Sequence, residues 1–168
     1  MQTAIASQPQ VQPLRLAVHN WDTLHEGLTF ESRGRTVTEA DVVAFSGLSG
    51  DFNRIHTDRE YARSTPYGER IAHGLLVLSI LSGLTTQADG YRAIEPSIVA
   101  MRDIACRFPR PTLIGDTIFV RVTVLEKKDT GKVDRGDVTF RREAINQRGE
   151  VVAQADFRMI LRKEGAVA

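Results

Sequence analysis

The most hydrophobic stretch of this 168-residue chain is Gly74-Leu-Leu-Val-Leu-Ser-Ile-Leu-Ser-Gly-Leu-Thr-Thr86. It is long for a strand, and its apolar residues fall on almost every side of a helical projection. Such a helix has to be enclosed by other elements, because no face of it is polar enough to lie in water. The sequence therefore predicts a long buried helix around which the rest of the chain packs.

The second half of the chain alternates apolar and polar residues with a period of two, which is typical of strands. Three segments share this alternation: residues 98–108, 118–124 and 151–161. Residues of turn type separate them: Gly115-Asp116, 131–136 and Arg148-Gly149. We therefore expect long, half-buried antiparallel strands joined by short turns.

Upstream of the apolar stretch, residues 29–36 resemble a first strand and Thr38 with Asp41 forms a capping box for a helix. Residues 51–72 are polar and predict an irregular segment with one helical turn near residues 59–64. The order of elements predicts an α+β domain in which an antiparallel sheet wraps one buried helix. We expect residues 1–13, rich in Gln and Pro, to be a frayed tail and residues 14–168 to form a single domain.

The composition excludes several classes of protein. Twenty-two basic and 21 acidic side chains give a net charge of +1, so nothing global predicts binding to nucleic acid or to a charged membrane. The single cysteine, Cys106, rules out a disulfide framework and a cysteine-rich metal site. No stretch is long and apolar enough to span a bilayer, and residues 1–10 lack the pattern of a signal peptide. We expect a cytoplasmic protein.

The chemically richest segment is Ser46-Gly-Leu-Ser-Gly-Asp-Phe-Asn-Arg-Ile-His56. Asp51 and His56 on one turn could hold a water between them and exchange protons near neutral pH. In the alternative interpretation Asp51 only caps the turn and His56 only bonds a backbone carbonyl. The residues alone leave both interpretations open.

A second segment, Ile71-Ala-His-Gly74, opens the hydrophobic helix. A helix N-terminus offers unpaired amides, and Gly74 has no side chain to block a ligand oxygen, so a carbonyl docked there would be polarised. The alternative is an ordinary helix start with His73 as a partly buried polar residue. A metal site is a further alternative, but the spacings match no helical ligand pair such as His at i and i+4. The possible ligands are Asp51, His56, Asp58, Glu60 and His73.

These two segments together resemble the MaoC-like dehydratases, the (R)-specific enoyl-CoA hydratases. The resemblance runs from about Thr29 to Arg162 and rests mainly on the Gly-Asp-x-Asn-x-x-His core that ends at His56. It implies a hot-dog fold, a long helix wrapped by a curved antiparallel sheet. It also implies reversible hydration of trans-2-enoyl thioesters to (R)-3-hydroxyacyl thioesters.

The resemblance implies a role for each site residue. Asp51 and His56 would hold the water and Asn53 would orient it. Gly74 would bind the thioester oxygen through its amide, while Ser79 and His73 would contribute to the substrate site. Many members of the family have proline where this chain has Arg54.

The resemblance further implies that no metal or redox cofactor is used and that coenzyme A enters only as part of the acyl-CoA substrate. We also expect a homodimer or a higher assembly of dimers. Two other functions remain open on this fold: hydrolysis of an acyl thioester, and non-catalytic acyl binding or assembly. The hydrolase would direct the same water to the carbonyl carbon, whereas a binding protein would not need the Asp51–His56 pair.

Overall fold

The computed structural model describes residues 18–165, which form one antiparallel sheet and five α-helices. The strands are β1 (Thr29–Glu31), β2 (Arg35–Thr36), β3 (Ile98–Arg107), β4 (Thr117–Lys128), β5 (Arg135–Asn146) and β6 (Val151–Arg162). They are ordered β1-β4-β5-β6-β3, and β2 also pairs with β4. The predicted tail at residues 1–13 lies outside the described residues.

The helices lie between the short and the long strands. They are α1 (Glu39–Ser49), α2 (Arg54–Thr57), α3 (Arg59–Arg63), α4 (Gly74–Gln87) and α5 (Asp89–Ile94), and a 3₁₀ turn at Glu95–Ser97 leads into β3. The capping box of α1 is formed as predicted, with the Thr38 hydroxyl accepting from the Asp41 amide and the Asp41 carboxylate accepting from the Thr38 amide. No helix of the described part of the chain is long and apolar enough to cross a membrane.

The core lies between α4 and one face of the sheet. Leu81 of α4 is 0% exposed, and it belongs to a single cluster with inward-facing residues of β4, β5 and β6 such as Val122, Phe140 and Phe157. Full burial of one such side chain stabilises the fold by about 1.5–3 kcal/mol. The predicted buried helix and the sheet around it are therefore both present.

Two strand predictions need correction. Gly136 lies inside β5 and not in a turn, because the indole of Trp21 packs where a side chain at position 136 would be and its Nε1–H donates to the Asp137 carbonyl at 3.1 Å. The strand β3 is not half-buried: all of its residues after Ile98 are exposed, since β3 lies at the edge of the sheet and, within residues 18–165, pairs only with β6. One face of α4 is open as well, with Leu75 64% exposed.

Candidate active site

The site forms where the turn after α1 meets the segment that precedes α4. Helix α1 ends at Ser49, and Gly50 adopts φ 75° so that its amide can donate to the Ser46 carbonyl at 2.9 Å. This left-handed conformation is favourable for glycine and turns the chain back across α4. Asp51 and the short helix α2 follow directly, so the turn carries Asp51 and His56 toward the N-terminus of α4.

Local hydrogen bonds shape the Asp51 turn. The Asp51 amide donates to the Ser49 hydroxyl at 3.2 Å, and one Asp51 carboxylate oxygen accepts from the Asn53 amide at 3.1 Å. The Asn53 side-chain oxygen accepts from the Ile55 amide at 3.2 Å and so caps α2. The predicted water-orienting residue therefore supports the turn, with its side-chain oxygen already used as a helix cap.

Arg54, which departs from the family's proline, occupies the first position of α2. Proline is favoured at this position because the amide there has no partner within the helix, so either residue fits the backbone. The Arg54 guanidinium bonds the Asp58 carboxylate at 2.8 Å and lies 4.4 Å from the centroid of the Tyr61 ring. Its side chain therefore stays on the outer surface of α2 and α3.

His56 presents one ring nitrogen to the site. Its Nδ1–H donates to the Ile71 carbonyl at 2.8 Å, so a neutral ring carries its free electron pair on Nε2. The alternative interpretation, in which His56 bonds a backbone carbonyl, is thus correct about this contact. That contact also fixes the tautomer in which Nε2 can accept a proton.

The protonation of His56 is shifted by its surroundings. Burial lowers the pKa of His56 below its ordinary value, and the neighbouring His73 ring acts in the same direction. The hydrogen bond to Ile71 and the Asp51 carboxylate act in the opposite direction without reversing the shift. His56 is therefore predominantly neutral at pH 7, as a general base must be.

His73 lies beneath His56 and is only 2% exposed. Its Nε2 lies 3.0 Å from the Asp51 carbonyl and 3.3 Å from the Ser46 hydroxyl, and the centroids of the two imidazole rings are 3.9 Å apart. The ring does not line the pocket described below. The sequence predicted that His73 contacts the substrate. The structure instead places the His73 ring outside the pocket lining, buried against the Asp51–His56 pair, which is called the dyad below.

Asp51, His56 and His73 bring one potential metal-ligand atom each to within 4.8 Å of one another, and they are the one such group within residues 18–165. Each histidine already uses one ring nitrogen as a donor to a backbone carbonyl. A metal ion would therefore have to use the second nitrogen of both rings. That no cofactor is needed stays a prediction.

A pocket of about 210 Å³ opens beside His56 and the first turn of α4. Its lining consists of His56, Tyr67, Ile71, Ala72, Gly74, Val77, Phe108, Arg110, Pro111, Thr112 and Val152. The Gly74 amide belongs to the first turn of a 14-residue helix that has no side-chain cap, so it lacks a partner within that helix. Grooves of about 280 and 420 Å³ elsewhere contain neither His56 nor Gly74 and are lined mainly by polar and charged residues.

Phe108 packs directly on Gly74. A Cβ atom added to Gly74 would lie 3.0 Å from the Phe108 ring, so the absence of a side chain at position 74 shapes the pocket wall. Sequence reasoning did not identify Phe108, Tyr67 or Val152 as lining residues. The one available signal was the position of Phe108 at the end of a predicted strand, before a proline.

Ser79 lies apart from these residues. It is exposed on α4, its hydroxyl donates to the Leu75 carbonyl at 2.8 Å, and it is not part of the pocket lining. Of the predicted site residues, the structure thus brings Asp51, His56 and His73 together and places Gly74 in the same pocket as His56. Asn53 contacts this group through its backbone amide, which donates to the Asp51 carboxylate.

The arrangement offers a base and an electrophilic contact in the lining of one pocket. His56 Nε2 can accept a proton, and the Gly74 amide can donate to an oxygen that gains negative charge. Asp51 is exposed, and its carboxylate lies within 4.8 Å of a ring nitrogen of His56, so a water can reach both groups.

Comparisons with known proteins identify the family and the fold of the chain. The family model described as "MaoC like domain" matches residues 23–147. An (R)-specific enoyl-CoA hydratase of Rhodospirillum rubrum is 32% identical over 151 residues, which are 89% of this chain and 96% of that protein. The crystal structure of a MaoC-like dehydratase from the same organism superposes with a TM-score of 0.74 at 28% identity, covering 87% of this chain and 98% of that one.

The fold has a further parallel in Rv0216 of Mycobacterium tuberculosis, a protein with a double hot-dog fold. It superposes with a TM-score of 0.73 at 20% identity, covering 92% of this chain and 47% of that one. The predicted hot-dog fold is therefore confirmed, with α4 as the wrapped helix. Through the match over residues 23–147 and the relative that aligns along nearly its whole length, the chain belongs to the MaoC-like family.

Proposed function

We propose that this protein is a hydratase/dehydratase that reversibly adds water to a trans-2-enoyl thioester, in the form of an enoyl-CoA, to give an (R)-3-hydroxyacyl thioester. The observation that carries the proposal is that one pocket is lined both by His56, whose Nε2 is free to accept a proton, and by Gly74, whose amide has no partner within its helix. The name of the Rhodospirillum rubrum relative supports the same reaction class.

The proposed reaction uses these groups in one sequence. Asp51 and His56 hold a water, His56 Nε2 takes its proton, and the oxygen adds to the β-carbon. The negative charge moves through the enoyl group to the thioester oxygen, where the Gly74 amide and the N-terminal end of α4 stabilise it. Return of the proton to the α-carbon completes the hydration. Dehydration follows the same steps in reverse.

The test is hydration of crotonyl-CoA, followed by the loss of enoyl absorbance. We expect Asp51→Asn and His56→Ala each to lower kcat by about 10²–10⁴-fold, the usual contribution of a positioned acid or base. His25→Ala serves as the matched control, because the His25 side chain is exposed and, among the described residues, bonds only the carbonyl of its neighbour Glu26. Near-normal turnover in either dyad variant would refute the assignment.

The same assay separates the alternative functions. A hydrolase would release a free thiol from the thioester, whereas a hydratase would consume the enoyl group with no thiol released. A protein that only binds acyl thioesters would do neither. Chiral analysis of the 3-hydroxyacyl product would test the expected (R) configuration.

We further propose that the protein acts as a homodimer. Met101 and Ile104 pair with the buried residues Met159 and Phe157, so their side chains face the same side of the sheet as α4, yet they are 55% and 38% exposed. A second copy of the chain placed along β3 would cover them together with Leu75. This supports the dimer predicted from the family resemblance.

A further inference from the structure

The two segments that form the site are joined by reciprocal hydrogen bonds. The His56 Nδ1–H donates to the Ile71 carbonyl at 2.8 Å, and the Ile71 amide donates to the Ile55 carbonyl at 3.4 Å. In the opposite direction, His73 Nε2 lies 3.0 Å from the Asp51 carbonyl. Each segment thus contributes one histidine that bonds the backbone of the other.

The acceptor fixes the tautomer of His73. A carbonyl oxygen only accepts hydrogen bonds, so Nε2 of His73 must carry the hydrogen. The other nitrogen, Nδ1, is buried and has no hydrogen-bond partner among the described residues. His73 therefore donates to the Asp51 carbonyl through its Nε2–H.

In the part of the chain that the structure describes, this donor is the one hydrogen-bond partner of Asp51 that is distant in sequence. The other hydrogen bonds of Asp51 are local: its amide bonds Ser49 and its carboxylate accepts from Asn53, both two residues away. These partners belong to the same exposed turn and would move with it. The bond from His73 crosses 22 positions and ties the Asp51 backbone to the buried start of α4.

We propose that His73 is a positioning residue that holds the Asp51 backbone and supports the His56 ring, so that the dyad keeps its spacing over the Gly74 amide. The inference rests on the proposed hydratase function. It gives His73 a role other than the substrate contact predicted from the sequence. No atom of His73 touches the substrate in this role.

The test compares His73→Met with His73→Gln. Methionine fills a similar volume without a donor, whereas the glutamine side-chain amide can again donate toward the Asp51 carbonyl. We expect His73→Met to lower kcat for crotonyl-CoA by about 10²-fold with KM changed by less than about threefold, because a small displacement of a catalytic group is enough for such a loss. His73→Gln should recover at least about tenfold of that loss. His25→Met is the control for the exchange of side chains.

Three results would overturn the inference. Equal kcat values for the two variants would show that the donor does not matter, and a raised KM with unchanged kcat would indicate a substrate contact. The third is a nitrogen-15 NMR spectrum of the wild-type protein in which His73 carries its hydrogen on Nδ1.

The NMR measurement needs no variant, so it remains decisive if His73→Met does not fold. It also separates this inference from the proposed function. A wild-type protein that hydrates no enoyl thioester would refute the function, whereas the tautomer of His73 tests the hydrogen bond independently of any activity.

Discussion

At the scale of single residues, the surroundings of His56 determine its protonation. Burial lowers its pKa, and the nearby Asp51 carboxylate raises it without overcoming that effect. The folded protein therefore binds the His56 proton less readily than the unfolded chain does. Between the ordinary pKa, about 6.5, and the lower folded value, His56 favours unfolding increasingly as the pH falls.

The first prediction concerns this pKa. NMR titration should give His56 a pKa below 6.5 in the wild-type protein, and Asp51→Asn should lower it further because the stabilising negative charge is lost. The pH profile of kcat/KM should then fall on its acid side at a pH below 6.5. His25, which is exposed and lies outside the group formed by Asp51, His56 and His73, is the internal reference. A rise of the His56 pKa in Asp51→Asn would contradict the assignment of these charges.

Much of the residue-scale site could be predicted from the sequence, because its parts are short-range. The spacing from Asp51 to His56 and the start of α4 at Gly74 depend on local turns and caps. Contacts set by the sheet could not be predicted. Phe108 packs on Gly74 only because β3 ends at that point, 34 positions further along the chain.

At the scale of elements, the turn before β4 supports the pocket wall. Asp116 is 3% exposed, accepts from the Leu113 amide at 3.0 Å, and forms an ion pair with Arg148 at 2.9 Å. The adjacent Thr112 carbonyl accepts from the Ala72 amide at 2.8 Å. The hairpin between β5 and β6 is thereby tied to the segment that lines the pocket.

The second prediction follows from this network. Asp116→Asn should lower the free energy of unfolding by about 2–3 kcal/mol, because two hydrogen bonds to the buried Asp116 carboxylate, from the charged Arg148 and from the Leu113 amide, are weakened together. Asp156→Asn is the matched control: Asp156 also pairs with an arginine, Arg141, at 2.9 Å, but both side chains are one-third exposed. Its loss should stay below about 1 kcal/mol. Urea unfolding of both variants measures the difference, and equal losses would contradict it.

The element-scale predictions failed where burial depends on partners distant in sequence. The alternation in residues 98–108 correctly indicated a strand, but a period of two does not tell an edge strand from a central one. Gly136 was assigned to a turn because glycine usually marks one, whereas here the Trp21 indole requires it inside β5. The local pattern identifies neither the strands that flank residues 98–108 nor the contact between Trp21 and Gly136.

At the scale of the whole molecule, the open face of α4 and the exposed β3 have the same explanation. The sequence predicts that both are covered, yet in the single chain Leu75, Met101 and Ile104 remain accessible to water. A long unpaired edge strand is normally blunted or paired in a native protein. A second copy along β3 would bury the apolar side chains that the sequence pattern predicts to be buried and that are exposed in the single chain.

The last prediction tests that assembly. Light scattering should give the wild-type protein twice the chain mass of 18.7 kDa, and Met101→Lys should shift it to the single-chain mass at the same concentration. Lysine would bring a charge into the apolar contact of each copy, where it has no partner. Val133→Lys is the control, because Val133 is also apolar but 94% exposed and lies in the turn before β5, away from β3. A wild-type monomer, or a Met101→Lys dimer as stable as the wild type, would exclude β3 as the interface.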